Sequence, residues 1–385
     1  PYEAGEVLKQ PDLAKTLQRI ADTGGDDFYK GETAGRIEQD MTENGGFVTK
    51  ADLAQYQALD ARYVTTNYRD YEIHSIPAPA GGGLVVKALN IMEQFDLSEM
   101  SDAQWAAVVN QALAFAIETM RYDYKEEDLF FVQSKEWAEE KAALIRLPEQ
   151  VELAPAASKR TAAPELLASN TDWTGDTWGG NSHHTTHFVT SDCSGMVVSI
   201  TQTIGPLFGS KVITPGLGFV YASTMGAYLS NSDQAPGSRP RTTIAPTVVT
   251  KDGETILVLG AAGGLRILSG IVQTISRFVD QGKGIEEAVA APRIHPGTGT
   301  NEETGERETY GDKFSAEFTP MNGWSAADSV FWVAEGFEVE AITRYGAFAR
   351  VHAVQRDPET GLWTGMADLD WEGTALGPSE AYCAN

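Results

Sequence analysis

The residues best suited to chemistry lie in one short run, Asn181-Ser182-His183-His184-Thr185-Thr186-His187-Phe188. Three imidazoles, at His183, His184 and His187, first suggest a metal. No carboxylate or cysteine stands at ligand spacing beside them, which favours a polar loop entering a strand. The threonines offer a different chemistry. A threonine hydroxyl is a poor nucleophile until a base is held next to it, and one such base is the residue's own α-amine, which exists only if the chain is cut immediately before it. A flexible stretch ending where a strand begins offers that possibility, although Thr-Thr pairs at strand starts are also ordinary β-sequence.

A second candidate is Leu257 to Leu268, L-V-L-G-A-A-G-G-L-R-I-L, which reads as a strand, a glycine turn and a helix. It lacks both G-x-G-x-x-G and G-K-[ST], which disfavours a nucleotide site. Either the glycines simply permit a tight turn, or the backbone N–H groups of Gly263 and Gly264 face an oxyanion that forms during acyl transfer. Acidic residues are plentiful, but no spacing singles out a glycosidase pair.

The elements that must position these residues change character along the chain. Helical periodicity dominates the first half. Asp12 precedes a stripe of Leu13, Leu17, Ile20 and Ala21 that stops at Gly24-Gly25, Glu32 to Glu43 ends at Asn44-Gly45-Gly46, and Thr49 to Asp52 has the capping-box pattern. A strand at Tyr71 to Ile76 breaks at Pro77-Ala78-Pro79-Ala80-Gly81-Gly82-Gly83, and helices are expected at Leu84 to Phe95 and Ala103 to about Tyr122. From about Leu147 to Gly180, Pro, Ala, Ser, Thr and Gly dominate and the stretch reads as a linker. Beyond it, three hairpins are expected around Cys193-Ser194-Gly195, Lys251-Asp252-Gly253 and Pro358 to Gly361, forming antiparallel sheet interrupted by helices at Leu265 to Asp280 and Ile285 to Ala291. Long separate runs of helix and strand point to an α+β fold of stacked sheets covered by helices.

Composition narrows the partners. With 29 Lys and Arg against 54 Asp and Glu, the 385-residue chain carries a formal charge of −25, which repels nucleic acid and anionic lipid. No stretch approaches the roughly 18 to 20 apolar residues of a membrane span. Two cysteines, Cys193 and Cys383, lack the spacing of a metal or redox site. Pro1 opens a polar, acidic segment with no charged-then-apolar leader. Neither metal nor organic cofactor is expected.

Taken in order, Thr185-Thr186-His187-Phe188, Gly195 to Thr203, Phe208-Gly209-Ser210, Pro215 to Phe219, Pro236 to Pro240, Ala245 to Val249, Gly260 to Arg266 and Ala291-Pro292-Arg293 resemble the small subunit of gamma-glutamyltranspeptidases. Gln10 to Ala14, Phe28 to Gly31, Asn44-Gly45-Gly46 and Leu89-Asn90-Ile91 are similar to the latter part of the large subunit. The resemblance implies the four-layer αββα sandwich of N-terminal-nucleophile hydrolases and self-cleavage between His184 and Thr185. Residues 1–184 would be a large-subunit-like helical segment ending in a linker, and residues 185–385 a catalytic segment that stays associated with it. It further implies that Thr185 forms an acyl-enzyme, that its α-amine is the base, that Gly263 and Gly264 hold the oxyanion, and that Thr203 orients the nucleophile. Family members are often periplasmic or secreted.

Two departures bear on the substrate. The family positions that hold the α-amino group of a glutamyl substrate correspond to Gly205, Thr224 and Ala227, none of which carries the expected carboxylate or amide. The serine pair that holds the α-carboxylate corresponds to Thr242-Thr243, which keeps the hydroxyls. An ammonium without a partner in a partly buried pocket binds poorly. The expected substrate is therefore a small amide whose acyl part keeps a carboxylate but lacks the glutamyl α-amine. A true gamma-glutamyl transferase or hydrolase and a catalytically silent binding relative are the alternatives. Nothing in the sequence corresponds to the long N-terminal portion of the family's large subunit, which carries an arginine for the substrate carboxylate.

Overall fold

A computed structural model describes residues 3, 5–60, 62–121, 130–148, 183–224, 237–300, 307–319, 323–343, 346–369 and 373–377. The expected linker falls mostly outside the described residues, and Ala227 and Cys383 fall wholly outside them.

Two compact units are formed, one by residues 1–61 with 204–230 and the other by residues 62–203 with 231–385. The first contains helices α1 (Pro11–Thr23), α2 (Asp26–Lys30), α3 (Glu32–Asn44) and α4 (Lys50–Gln55). Their ends follow from sequence: α1 and α3 stop at Gly24 (φ 67°) and Gly45 (φ 73°), and Thr49 and Asp52 close a reciprocal capping box on α4. The buried Thr16 hydroxyl donates to Leu217 O at 2.9 Å, and the Thr214 hydroxyl donates to the Asp40 carboxylate at 2.6 Å. These bonds fasten the 204–230 stretch to the helices.

The second unit is built on a six-stranded antiparallel sheet with order β1-β2-β5-β6-β10-β11. Its strands are β1 (Val64–Tyr68), β2 (Tyr71–Ser75), β5 (Thr247–Lys251), β6 (Glu254–Ala262), β10 (Arg350–Arg356) and β11 (Trp363–Ala367). The hairpins at Asp252-Gly253 and Pro358 to Gly361 form as expected, the first with positive φ at both turn residues. Helices α5 (Gly82–Met92), α6 (Asp102–Glu118), α7 (Lys135–Ala142), α8 (Arg266–Val279), α9 (Ile285–Ala290) and α10 (Ala326–Ala334) complete this unit with two further sheets. One is the hairpin β3 (His183–Ser191) and β4 (Val197–Pro206), and the other joins β7 (Ile294–Thr300), β8 (Arg307–Glu317) and β9 (Glu338–Ile342).

Alternation along the strands sorts the faces of the large sheet. Leu257, Leu259, Ala261, Val351 and Ala353 are fully or almost fully buried. A β-carbon on Gly270 of α8 would lie 2.9 Å from Ala349 Cβ and 3.1 Å from Val351 Cγ2, so glycine lets this helix approach that face closely. The opposite face meets β3–β4. A β-carbon on Gly260 would lie 2.4 Å from His187 Cε1, and the Ser199 hydroxyl donates to Leu259 O at 3.4 Å.

The second half is not wholly antiparallel, because β8 and β9 pair in parallel. Sequence reading also passed over β7 to β9, β1, α7 and α10. Among the described residues, no helix is long and apolar enough to cross a membrane.

Candidate functional site

The Cys193-Ser194-Gly195 turn brings β3 and β4 together. The Asp192 carboxylate accepts from Ser194 N at 2.8 Å and Met196 N at 3.0 Å, while Gly195 takes φ 88°. Cys193 is disulfide-bonded. Along β3 the burial alternates: Thr185 and His187 are buried, whereas Thr186 and Phe188 are exposed. His184 belongs to the same strand.

Thr185 lines a cavity of about 360 Å³ with His187, Ala262, Arg350, His352 and residues of the Gly373 to Leu376 stretch. The inward alternation of β3 brings Thr185 to this wall, and Ala262 immediately precedes the Gly263-Gly264 turn. His187 Nδ1 meets Thr201 Oγ1 at 2.8 Å, and its ring stacks near that of His352 with centroids 6.4 Å apart. Burial, and then the facing His352, push the His187 imidazole down to about 4, only partly offset by a backbone hydrogen bond with Ile200. Burial likewise lowers His352. Both rings are thus neutral at pH 7. Arg293 and Asp368 form an almost fully buried ion pair at 2.7 Å, and Asp368 also acts electrostatically on Arg350.

The glycine turn has the backbone its residues permit, with φ 143° at Gly263 and 61° at Gly264. Its described hydrogen bonds engage the two carbonyls, which accept from Arg266 N and Ile267 N at 3.2 Å each as α8 begins. Gly264 O also accepts the Thr243 hydroxyl proton at 2.8 Å. Thr242 Oγ1 accepts from Ile244 N at 3.2 Å. The Thr242 to Ile244 backbone is tied to the proline-glycine loop through Thr242 N to Pro79 O and Gly81 N to Ile244 O, each 2.8 Å. Gly81 is required there, since a β-carbon would sit 2.6 Å from Thr243 O.

Thr185, Thr203, Thr242, Thr243, Gly263 and Gly264 therefore belong to one compact unit, while Gly205 and Thr224 belong to the other. Thr203 lies on β4 and is partly buried. Gly205 has φ 85°, and a β-carbon there would lie 3.4 Å from the Ser223 backbone and 3.7 Å from Thr224 N. These two positions are adjacent to each other. Sequence reasoning missed Arg350, His352 and the Gly373 to Leu376 stretch. The usable signal was the alternation of β10, which sets Arg350 and His352 on the face opposite Val351 and Ala353.

Residues 1–377 match the family described as Gamma-glutamyltranspeptidase. The chain belongs to that family. Over 312 residues it is 32% identical to the glutathione hydrolase proenzyme of Escherichia coli (strain K12), covering 77% of this chain and 52% of that protein. Over 310 residues it is 33% identical to the acylase ACY 1 proenzyme of Pseudomonas sp. (strain SE83), with coverages of 76% and 51%. The cephalosporin acylase from Bacillus halodurans shares the fold with a TM-score of 0.75 at 25% identity, over 97% of this chain and 64% of that one. The expected α+β, αββα architecture of N-terminal-nucleophile hydrolases holds. The chain spans about half the length of the curated relatives it matches.

Proposed function

We propose that this chain is the catalytic part of an autoprocessing amide hydrolase or acyltransferase whose nucleophile is Thr185. The observation that carries the reading is the placement of Thr185 on an inward-facing strand position, at the wall of a cavity that also includes the residue before the Gly263-Gly264 turn. In maturation the Thr185 hydroxyl attacks the carbonyl carbon of His184, the acyl group shifts from nitrogen to oxygen, and water hydrolyses the ester. This leaves a free α-amine on Thr185. In turnover that amine accepts the hydroxyl proton while the oxygen attacks the amide carbonyl, and it returns the proton to the leaving amine as the acyl-enzyme forms. The N–H groups of Gly263 and Gly264 stabilise the oxyanion, and the Thr203 hydroxyl orients the nucleophile.

The cut divides the chain covalently into residues 1–184 and 185–385. The ladder from Glu72↔Thr250 to Ser75↔Thr247 supports their continued association, because it joins a strand before the cut to one after it. The substrate is a small amide whose acyl part carries a carboxylate and lacks the α-amine. Support for this comes from Gly205, which has no side chain, and Thr224, which offers an ammonium only a hydroxyl.

Processing is tested by denaturing electrophoresis and N-terminal sequencing of the full-length protein. A fragment beginning at Thr185 is expected from wild type, and an uncut chain from Thr185→Ala. A wild-type chain that is active while uncut contradicts the mechanism. Comparing release from gamma-glutamyl and glutaryl anilides tests the substrate: preferential glutamyl turnover supports a gamma-glutamyl enzyme instead.

A further inference from the structure

We propose that His187 is a positioning residue for Thr185, holding the start of β3 in place by seating its ring on Gly260 and bonding across to Thr201. This deepens the Thr185 reading and rests on it. Among the described residues β3 pairs with β4 alone, so its place over the six-stranded sheet depends on its inward side chains. Once the chain is cut at His184-Thr185, Thr185 is the first residue of its fragment and loses the restraint of the chain before it. His187 is the next inward residue along β3, and it is 2% exposed.

The ring is held from three strands. On β6, a β-carbon at Gly260 would lie 2.4 to 2.8 Å from ring atoms Cε1, Nδ1 and Nε2, so the ring rests where glycine alone leaves room. On β4, Nδ1 meets Thr201 Oγ1 at 2.8 Å, and the ring has a backbone hydrogen bond with Ile200. On β10, the His352 ring faces it at an interplanar angle of 21°. Burial alternates along β4, so Ser199, Thr201 and Thr203 share one side of the strand. Ser199 fastens that row to Leu259 O, and His187 fastens it at Thr201. Thr203, which orients the nucleophile in the proposed mechanism, is the next member of the row.

Packing alone does not account for an imidazole at this place. His187 Nε2 is buried with no hydrogen-bond partner among the described residues, a cost that an apolar ring would avoid. What the imidazole adds is a polar edge at Nδ1, and that edge faces β4.

Steady-state kinetics of the processed enzyme, on whichever anilide it turns over, test this. His187→Phe keeps a ring and loses the Nδ1 contact, and Thr201→Val keeps the shape and loses the hydroxyl. Each is expected to lower kcat about 30-fold and to leave KM within about 3-fold, because the nucleophile is misplaced while the binding surface stays. The double variant should be no slower than the slower single one, since both changes remove the same contact. His187→Asn, whose amide reaches where Nδ1 lies, and Thr201→Ser should each recover about 5-fold of the loss. Losses that multiply in the double variant, an absent recovery, or losses that track only the unfolded fraction overturn the proposal. Hydrogen exchange of the β3 peptide in uncut Thr185→Ala tests the anchor without turnover, and His187→Phe should speed it about 10-fold. Faster exchange beside a Thr185→Ala protein that is still active supports the anchor and removes Thr185 as nucleophile. Unchanged exchange removes the anchor, whatever the nucleophile.

Discussion

The six-stranded sheet uses the same strands to build two unlike faces. Toward α8 it presents Leu257, Leu259, Ala261, Val351 and Ala353, all apolar and buried. Toward β3–β4 it presents Gly260, Ala262, Arg350 and His352; the last three line a cavity, and His352 Nδ1 has no hydrogen-bond partner among the described residues. One residue of offset separates the two sets, since side chains alternate along a strand. The first face supplies burial energy, and the second spends part of it on polar groups held away from water. A site placed on this second face inherits rigid walls from the first.

Substitutions on the two faces should therefore fail differently. Leu259→Ala removes a fully buried side chain from the packed face and is expected to cost about 3 kcal/mol. Urea unfolding should show this, while the specific activity of the folded fraction stays close to wild type; a large activity loss without destabilisation would blur the distinction. Acid should act through the other face. The native protein holds His187 near 4, below its ordinary 6.5, so the unfolded chain takes up the proton first as pH falls. Stability is thus complete above about pH 6.5 and declines as pH drops toward 4, by about 3 kcal/mol in total. His352, shifted the same way, adds to the slope. Urea midpoints between pH 7 and 4 should fall more steeply in wild type than in His187→Gln, and equal slopes would remove His187 from this role. A smaller effect is expected from Gly260→Ala, whose new methyl group meets the His187 ring and should cost about 2 kcal/mol. Self-cleavage, followed by electrophoresis at a temperature where the variant is folded, should slow along with it. Unaltered cleavage would show that the His187 ring can move without disturbing Thr185.

Much of the fold could be read from local chemistry. The ends of α1 and α3 are written in Gly24 and Gly45, the start of α4 in Thr49 and Asp52, and the β5–β6 turn in Asp252-Gly253. Strand β7 could not be read this way, because Ile294-His295-Pro296-Gly297 contains the residues that usually end strands, and its register shifts between Pro296 and Gly297. The parallel β8–β9 pair joins residues about as far apart as Lys313 and Glu338, and no turn between them announces it. For the site, Thr185, Gly263 and Gly264 stood out through their motifs. Arg350 and His352 did not, since alternation gives the two faces of β10 but not which face another sheet will cover. The partnering of Thr243 with Gly264 O is a tertiary fact of the same kind.

The claim that Thr185 carries the acyl group can be tested most directly by intact-protein and peptide mass spectrometry during turnover of a slow anilide substrate. A fragment starting at Thr185 that carries one acyl group, located on the Thr185-containing peptide, is the expected result. An acyl group mapped to another residue, or steady turnover by a chain still joined at His184-Thr185, would contradict the account.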